Sequence, residues 1–154
     1  MPTISKDTPL FELTLRRYER PHGLSGRNLI RKLCLSLGLL QPGDSRDVIV
    51  DILYVLLLAR KEKELLSVNK LSKAVTNLRK ENKLEELGIA ESNIRRQLRR
   101  LKDIALVEKV KSTYRISEFL DLHTIFKNKV QSILIPSTLA RVYEYLDHVD
   151  EQFS

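Results

Sequence analysis

Apolar positions recur along most of the chain at the three- and four-residue spacing of helices, and only short stretches alternate. Residues 8–20 are mixed. Phe11, Leu13 and Leu15 alternate with Glu12, Thr14 and Arg16 as in a strand, while Pro9 behind Thr8 can open a helix. With no partner strand evident nearby, the segment reads as helix, ended by Pro21-His22-Gly23. Ser25 then suits an N-cap for a helix over about 26–40, with Leu29, Leu33 and Leu37 on one face. After the turn Gln41-Pro42-Gly43-Asp44-Ser45, Ser45 can cap a helix over about 46–63. That helix is apolar around most of its girth (Val48, Ile49, Ile52, Leu53, Val55, Leu56, Leu57) and so belongs at the centre of the fold.

Leu65–Val68 reads as a short link with room for one β bridge, followed by a helix from about 69 into the 78–83 region. The polar stretch inside 76–86 fits either a loop or a helical extension. Gly88 punctuates, and a helix over about 91–103 follows. Two apolar-polar runs, 106–111 and 114–117, flank Ser112-Thr113 as a tight hairpin without the usual glycine-containing turn. Two closing helices, about 118–133 and 137–153, are divided by Pro136. The expected fold class is mainly α with a short β-hairpin.

Composition narrows the function classes. The 154 residues are 42% hydrophobic and 31% charged, which excludes a disordered chain, and 28 leucines with 5 glycines favour helices over a large β-sandwich. The longest apolar run, Ile52–Ala59, is far short of the roughly 20 residues of a bilayer span. Met1–Asp7 lacks the apolar stretch of a secretory signal, and the single Cys34 cannot form an internal disulfide. A cytoplasmic protein without membrane contact is expected. His22, His123 and His148 are widely spaced, Cys34 lies between Leu33 and Leu35, and no phosphate-binding glycine loop or nucleophile motif occurs. Neither an enzyme nor a cofactor or metal site is expected.

The charge is unevenly placed. The net +7, with a sequence pI near 9.6, favours a polyanionic partner. Residues 1–47 carry net +3, 48–87 net +2, 88–116 net +5 and 117–154 net −3. In the third segment Ile94, Leu98, Leu101 and Ala105 fall within about 60° of one another on a helical wheel. Ser92, Arg95, Arg96, Arg99 and Arg100 lie opposite, so one stripe can dock on a core while the other projects four guanidiniums. The planar guanidinium fork suits both phosphate oxygens and guanine edges, and a helix fits the major groove. Lys109, Lys111 and Arg115 make the following hairpin a basic ribbon able to reach an adjacent phosphate backbone.

Gly88-Ile89-Ala90-Glu91-Ser92-Asn93-Ile94-Arg95-Arg96-Gln97-Leu98-Arg99-Arg100-Leu101, continued to Leu106-Val107, resembles the turn and recognition helix of winged helix-turn-helix regulators. Leu66–Val75 is similar to their preceding helix, and Tyr114-Arg115-Ile116-Ser117 resembles the strand leaving the wing. The order of elements is similar to that of MarR-type and related archaeal transcriptional regulators. Ala90 stands where those proteins carry a capping Ser, Asn93 where they carry Thr, and Ala105 where Gly is common.

The resemblance implies that Ser92, Asn93, Arg95, Arg96 and Arg99, with Arg100 beside them and Lys109, Lys111 and Arg115 on the wing, face double-stranded DNA. Ser92 and Asn93 fit equally the role of capping the helix. In the last helix Leu139, Val142, Leu146, Val149 and Phe153 are spaced as an a/d seam, and Phe119, Leu122, Phe126, Val130 and Ile133 form a comparable stripe before it. The expected organisation is an N-terminal helical extension (1–44), a winged helix-turn-helix domain (45–117) and a C-terminal dimerisation region (118–154). The function this favours is a homodimeric, sequence-specific regulator of transcription. A winged-helix protein-interaction module and a sequence-tolerant chromatin or RNA binder stay open, and no polar constellation among the apolar helices marks an effector pocket.

Overall fold

The computed structural model describes residues 7–154; Met1–Lys6, part of the stretch read above for a leader, lie outside the described residues. In chain order come α1 (Gly26–Ser36), α2 (Val48–Lys61), β1 (Leu66–Ser67), α3 (Val68–Glu81), α4 (Glu91–Asp103), β2 (Val107–Val110), β3 (Thr113–Ile116) and a closing helical arm. The chain is thus mainly helical with one small sheet. Every residue of α2 from Val48 to Leu53 is buried, and α1, α3, α4 and β3 all pack on this helix. Leu71 and Val75 of α3, Ile94, Leu98 and Leu101 of α4, and Leu106 and Ile116 complete the core. Each such fully buried aliphatic side chain contributes about 1.5–3 kcal/mol. No helix among the described residues is long and apolar enough to cross a membrane.

The sheet is antiparallel with β3 in the middle. Leu66 and Ser67 of β1 pair with Tyr114 and Thr113, and Val107–Val110 of β2 pair with Ile116–Thr113. The expected bridge and hairpin are therefore present. The hairpin closes without glycine because Lys111 takes the left-handed position itself (φ 58°). Ser67 leaves β1 and caps α3, its Oγ accepting from the Lys70 N–H at 3.2 Å. The 76–86 stretch divides: helix continues through Glu81, and a loop carries the chain to α4.

Several expectations need correction. Residues 8–20 form neither helix nor strand but run as a strap across the end of α1. Arg16 explains this: its N–H donates to Ser36 O, and its guanidinium donates to Leu35 O, Leu40 O and Gln41 Oε1 at 2.8–3.2 Å. These bonds satisfy carbonyls that the end of α1 leaves open. Thr14 sits so close to Gly38 (φ 71°) that a Cβ there would lie 2.6 Å from the threonine Cβ. Accordingly α1 stops at Ser36 instead of running to residue 40. Its buried side also lies elsewhere: Cys34 and Leu35 are buried, Leu33 and Leu37 only partly, and Leu29 is exposed. Arg27 and Arg31, which bond to carboxylates of α2 and its cap, turn the helix that way.

The expected N-cap at Ser45 gives way to Asp47, whose carboxylate does not cap α2 but forms ion pairs. Pro136 does not divide the closing arm. α5 (Leu122–Ile125), a π-helical stretch (Phe126–Leu134) and α6 (Ile135–Gln152) run on with helical backbone angles throughout the joins. The wider π turns shift the hydrogen-bond register just where the proline lacks a donor, so the ring is accommodated. Of the stripe expected ahead of it, Val130 is buried, Leu122 and Phe126 are half-buried, and Ile133 is exposed. Phe119 lies before the helix, in a 3₁₀ turn.

A charged cluster lies inside this fold. Asp51 of α2 has no exposed surface and Arg79 of α3 is 3% exposed. Arg27 from α1 grips Asp51 with two donors at 2.8 and 3.1 Å and reaches Asp47 at 3.0 Å. Arg79 Nη1 donates to Asp51 at 2.6 Å and to Asp47 at 3.0 Å, while its Nε donates to Glu85 O in the loop before α4. Among the described residues, no buried side-chain polar atom lacks a partner. Burial alone would raise the Asp47 carboxyl; hydrogen bonds from Arg79 and Arg27 outweigh it and hold the group below its usual 3.8. A depressed carboxyl stabilises the fold above the ordinary Asp range and loses that contribution as pH falls through the lowered value. Arg79→Met leaves the fully buried Asp51 with Arg27 alone and Asp47 with Arg27 and the long Arg31 contact, and should cost about 3–5 kcal/mol in urea denaturation at neutral pH. Asp47→Asn should flatten the acid limb of a stability-against-pH curve below the usual Asp range.

Candidate nucleic-acid interface

α4 enters with Ala90 at its N-cap, extended and without a side-chain bond, as the alanine there requires. Its alternation of Ile94, Leu98 and Leu101 with polar residues pins one side to the core. Ser92, Arg95, Arg96 and Arg99 stand exposed on the other, with Arg100 half-buried at the edge. The side chains of Ser92, Arg96 and Arg99 have no hydrogen-bond or ion-pair partner among the described residues. Arg95 is weakly held by Glu91 one turn back, at 3.7 Å with both exposed. Such a pair contributes little and yields readily to another anion.

Asn93 behaves differently from its neighbour Ser92. Its Nδ2 donates to Gly88 O at 2.7 Å, Gln97 Nε2 donates to Asn93 Oδ1 at 3.1 Å, and Arg100 Nη1 donates to Gln97 Oε1 at 2.9 Å. This relay runs along one flank of α4 and ties the helix to the turn that precedes it. Gly88 (φ 78°) leaves room for it, since a Cβ there would lie 3.0 Å from Asn93 Nδ2.

The hairpin splits the three basic residues assigned to it. Lys109 is exposed with its ammonium 6.0 Å above the Tyr114 ring, and it borders a cleft of about 310 Å³ with Arg95, Ser67, Asn69 and Ser112. Lys111 is exposed at the tip. Arg115 lies on the opposite face of the ribbon, since side chains alternate along a strand. Its Nε donates to Glu108 Oε2 at 2.7 Å and its guanidinium stacks 4.8 Å from the Phe119 ring. The structure therefore gathers Lys109 with α4 and leaves Arg115 bound elsewhere. Burial alone would raise Glu108; the Glu118 N–H and Arg115 outweigh it and keep the carboxyl below its usual range.

Two groups escaped the sequence reading. Asn69, at the start of α3, reaches the α4 side of the cleft, its Nδ2 3.5 Å from Glu91 Oε1. Arg46, in the turn before α2, lines a cavity with Arg96 and Arg100. Neither has a sequence spacing that relates it to α4; only the packing of three helices does. The seam residues of α6 are open to solvent: Leu139, Val142, Leu146 and Val149 are each about half exposed (52, 49, 51 and 53%) and Phe153 is 83% exposed. No residue of α6 is buried.

In comparisons with known proteins, the chain matches no family model, no curated protein and no solved structure.

The chain turns from α4 into the hairpin through Ala105. It adopts φ 64°, and its carbonyl accepts from Ser117 Oγ at 2.7 Å. It thus lies beyond the helix whose apolar stripe it was expected to join. The left-handed region is unfavourable for alanine by roughly 1 kcal/mol relative to glycine. Ala105→Gly should raise stability by about that amount in chemical denaturation, leaving the fold and the basic surface unchanged.

Proposed function

We propose that the protein is a winged-helix, sequence-specific DNA-binding regulator of transcription that acts as a homodimer. The observation that carries this is the outer face of α4: three exposed arginines, two of them without a partner among the described residues, on a helix whose other side is locked into the core. In this reading α4 enters the major groove as recognition helix, with Ser92, Arg95, Arg96 and Arg99 toward base edges and phosphates. The β2–β3 hairpin is the wing, and Lys109 and Lys111 neutralise the neighbouring backbone. Arg115 is assigned to holding the wing against the arm, and Asn93 and Arg100 to fixing the flank of α4. Absence of competing ion pairs supports phosphate contact, because such arginines need not break an internal bond to engage DNA.

A second copy of the chain is the proposed occupant of the α6 seam. Ile135, Leu139, Val142, Leu146, Val149 and Phe153 follow a 4-3-4-3-4 spacing over a rod of about 27 Å. Within α6 the acidic residues Glu144, Asp147, Asp150 and Glu151 gather in the second half, and Arg141, ahead of them, is paired to Glu144 of its own chain. Antiparallel pairing keeps the acidic second halves of the two α6 helices apart and leaves the two winged domains at opposite ends of the rod.

Selection from a random duplex pool should enrich a site with two related halves, and Arg95→Glu with Arg96→Glu and Arg99→Glu should abolish binding while the melting curve is unchanged. Salt-sensitive binding without enrichment would favour a sequence-tolerant chromatin role; no binding by folded protein would favour a protein-interaction module. Leu139→Asp with Leu146→Asp, which lie on a face the chain itself does not bury, should convert a dimer to a monomer in sedimentation. The same change should weaken binding to a two-half site at least tenfold while sparing a single half-site. An unchanged mass would remove the seam as the dimer contact.

A further inference from the structure

A groove runs between α2 and α3, on a part of the surface to which neither α4 nor the hairpin contributes a residue. It measures about 520 Å³ and is open because both helices place alanine where they face it, Ala59 and Ala74. Val55 and Leu78 extend the floor, and Leu58 forms a wall with 47% of its surface exposed. A single exposed leucine is ordinary, but one that borders an apolar floor enlarges a contiguous apolar patch. The rim is charged and nearly of one sign: Glu62, Glu64 and Glu81 stand against one lysine, Lys70, on a chain of net +7. All four are exposed, and none of their side chains has a hydrogen-bond or ion-pair partner among the described residues.

Charge and shape together select the occupant. Nucleic acid and anionic lipid are repelled by three unpaired carboxylates. A second copy would have to offer its exposed apolar helix α6, whose second half is itself acidic. An added strand has no template, since β1, at the sheet edge beside the groove, is two residues long. A helix satisfies its own backbone and needs only side chains to meet the groove. From Lys70 to Glu81, α3 runs for about 16 Å, roughly three helical turns. Apolar anchors at i, i+4 and i+7 of a docked helix span a comparable length.

We propose that this groove docks a basic amphipathic helix of a partner protein, its apolar side chains on Leu58, Ala59 and Ala74 and its lysines or arginines on Glu62, Glu64 and Glu81. The proposal does not rest on the DNA-binding reading. Because the groove shares no residue with the outer face of α4, a docked helix leaves that face open.

The probe is a synthetic peptide of about four helical turns, with leucines at i, i+4 and i+7 and lysines on both flanks. The full chain should bind it at least tenfold more tightly than the same peptide with glutamates for the lysines. It should discriminate equally against a peptide of the same composition whose leucines alternate. Leu58→Asp should weaken binding at least tenfold, and Glu62→Lys and Glu81→Lys at least threefold each, all with unchanged melting curves. Both glutamates lie at helix C-termini, which accept lysine. Glu12→Lys, an equal change of charge on the strap, should have no effect. Absence of binding, comparable binding of either control peptide, or an equal effect of Glu12→Lys would overturn the proposal. So would loss of binding in Leu139→Asp with Leu146→Asp, which would put the peptide on the seam of α6. A fall in sedimentation mass with Leu58→Asp would make a second copy the occupant and overturn it as well.

Discussion

Asp51 lies in the first turn of the most buried helix of the protein, and each of its donors comes from a different neighbour. Arg27 brings α1 to it, Arg79 brings α3, and Arg79 at the same time holds Glu85 O in the loop that leads to α4. Apolar packing around α2 is non-directional and would tolerate sliding or rotation of its neighbours. Charge-assisted hydrogen bonds to a fully buried carboxylate do not, because each displaced donor leaves an uncompensated buried charge. The cluster therefore fixes what the leucines cannot: the rotation of α1, the register of α3 and the starting point of α4. The half-exposed face of Leu29, Leu33 and Leu37 is one consequence of that rotation.

Elements whose signal is local were legible in the sequence. The stripe of Ile94, Leu98 and Leu101 alone specifies both the extent of α4 and its outward face, and the pairing of β2 with β3 follows from two short alternating runs on either side of Ser112-Thr113. What failed was decided by distant partners. Residues 8–20 carry a mixed pattern because they serve neither period: Phe11, Leu13 and Tyr18 lean on the core while Arg16 closes the end of α1, 19 and 24 residues away. Pro136 reads as a breaker in any sequence window, and only the π register preceding it makes it compatible with a continuous helix. At the candidate site, the spacing placed the arginines on one face correctly, yet it could not distinguish free side chains from engaged ones. Asn93 and Arg115 look like their neighbours in sequence and differ from them only through Gly88, Glu108 and Phe119.

That distinction sharpens the division of labour on α4. Its flank toward the α2 entrance is bonded into a fixed relay through Gln97, whereas its crest at Ser92, Arg96 and Arg99 is free. A surface that must meet a phosphate backbone gains from donors that are unpaired but carried on a rigid support, since less ordering is then required on contact. The nearest internal competitor, the Glu91–Arg95 pair, is long and exposed. The basic charge is thereby concentrated where the helix cannot move and the side chains can.

The joint between the hairpin and the closing arm extends the same logic. Glu118 and Phe119 both adopt left-handed backbone (φ 52° and 55°), a conformation that non-glycine residues hold only when their surroundings insist. Three contacts do so: Glu108 Oε2 accepts from the Glu118 N–H at 3.0 Å as well as from Arg115, Arg115 stacks on Phe119, and Arg60 of α2 donates to Leu120 O at 3.1 Å. The arm is therefore not hung on a flexible linker but braced to the hairpin and to the central helix. If α6 pairs with a second copy, the separation of two α4 helices is set by braced joints and a rod, both stiff. A stiff spacing binds one half-site separation well and others poorly, so specificity for the distance between half-sites would come from Arg115 and Glu108 even though neither faces DNA. On the proposed reading, the arginine that the sequence assigned to phosphate contact would act on recognition through geometry, by holding the frame that carries the other arginines.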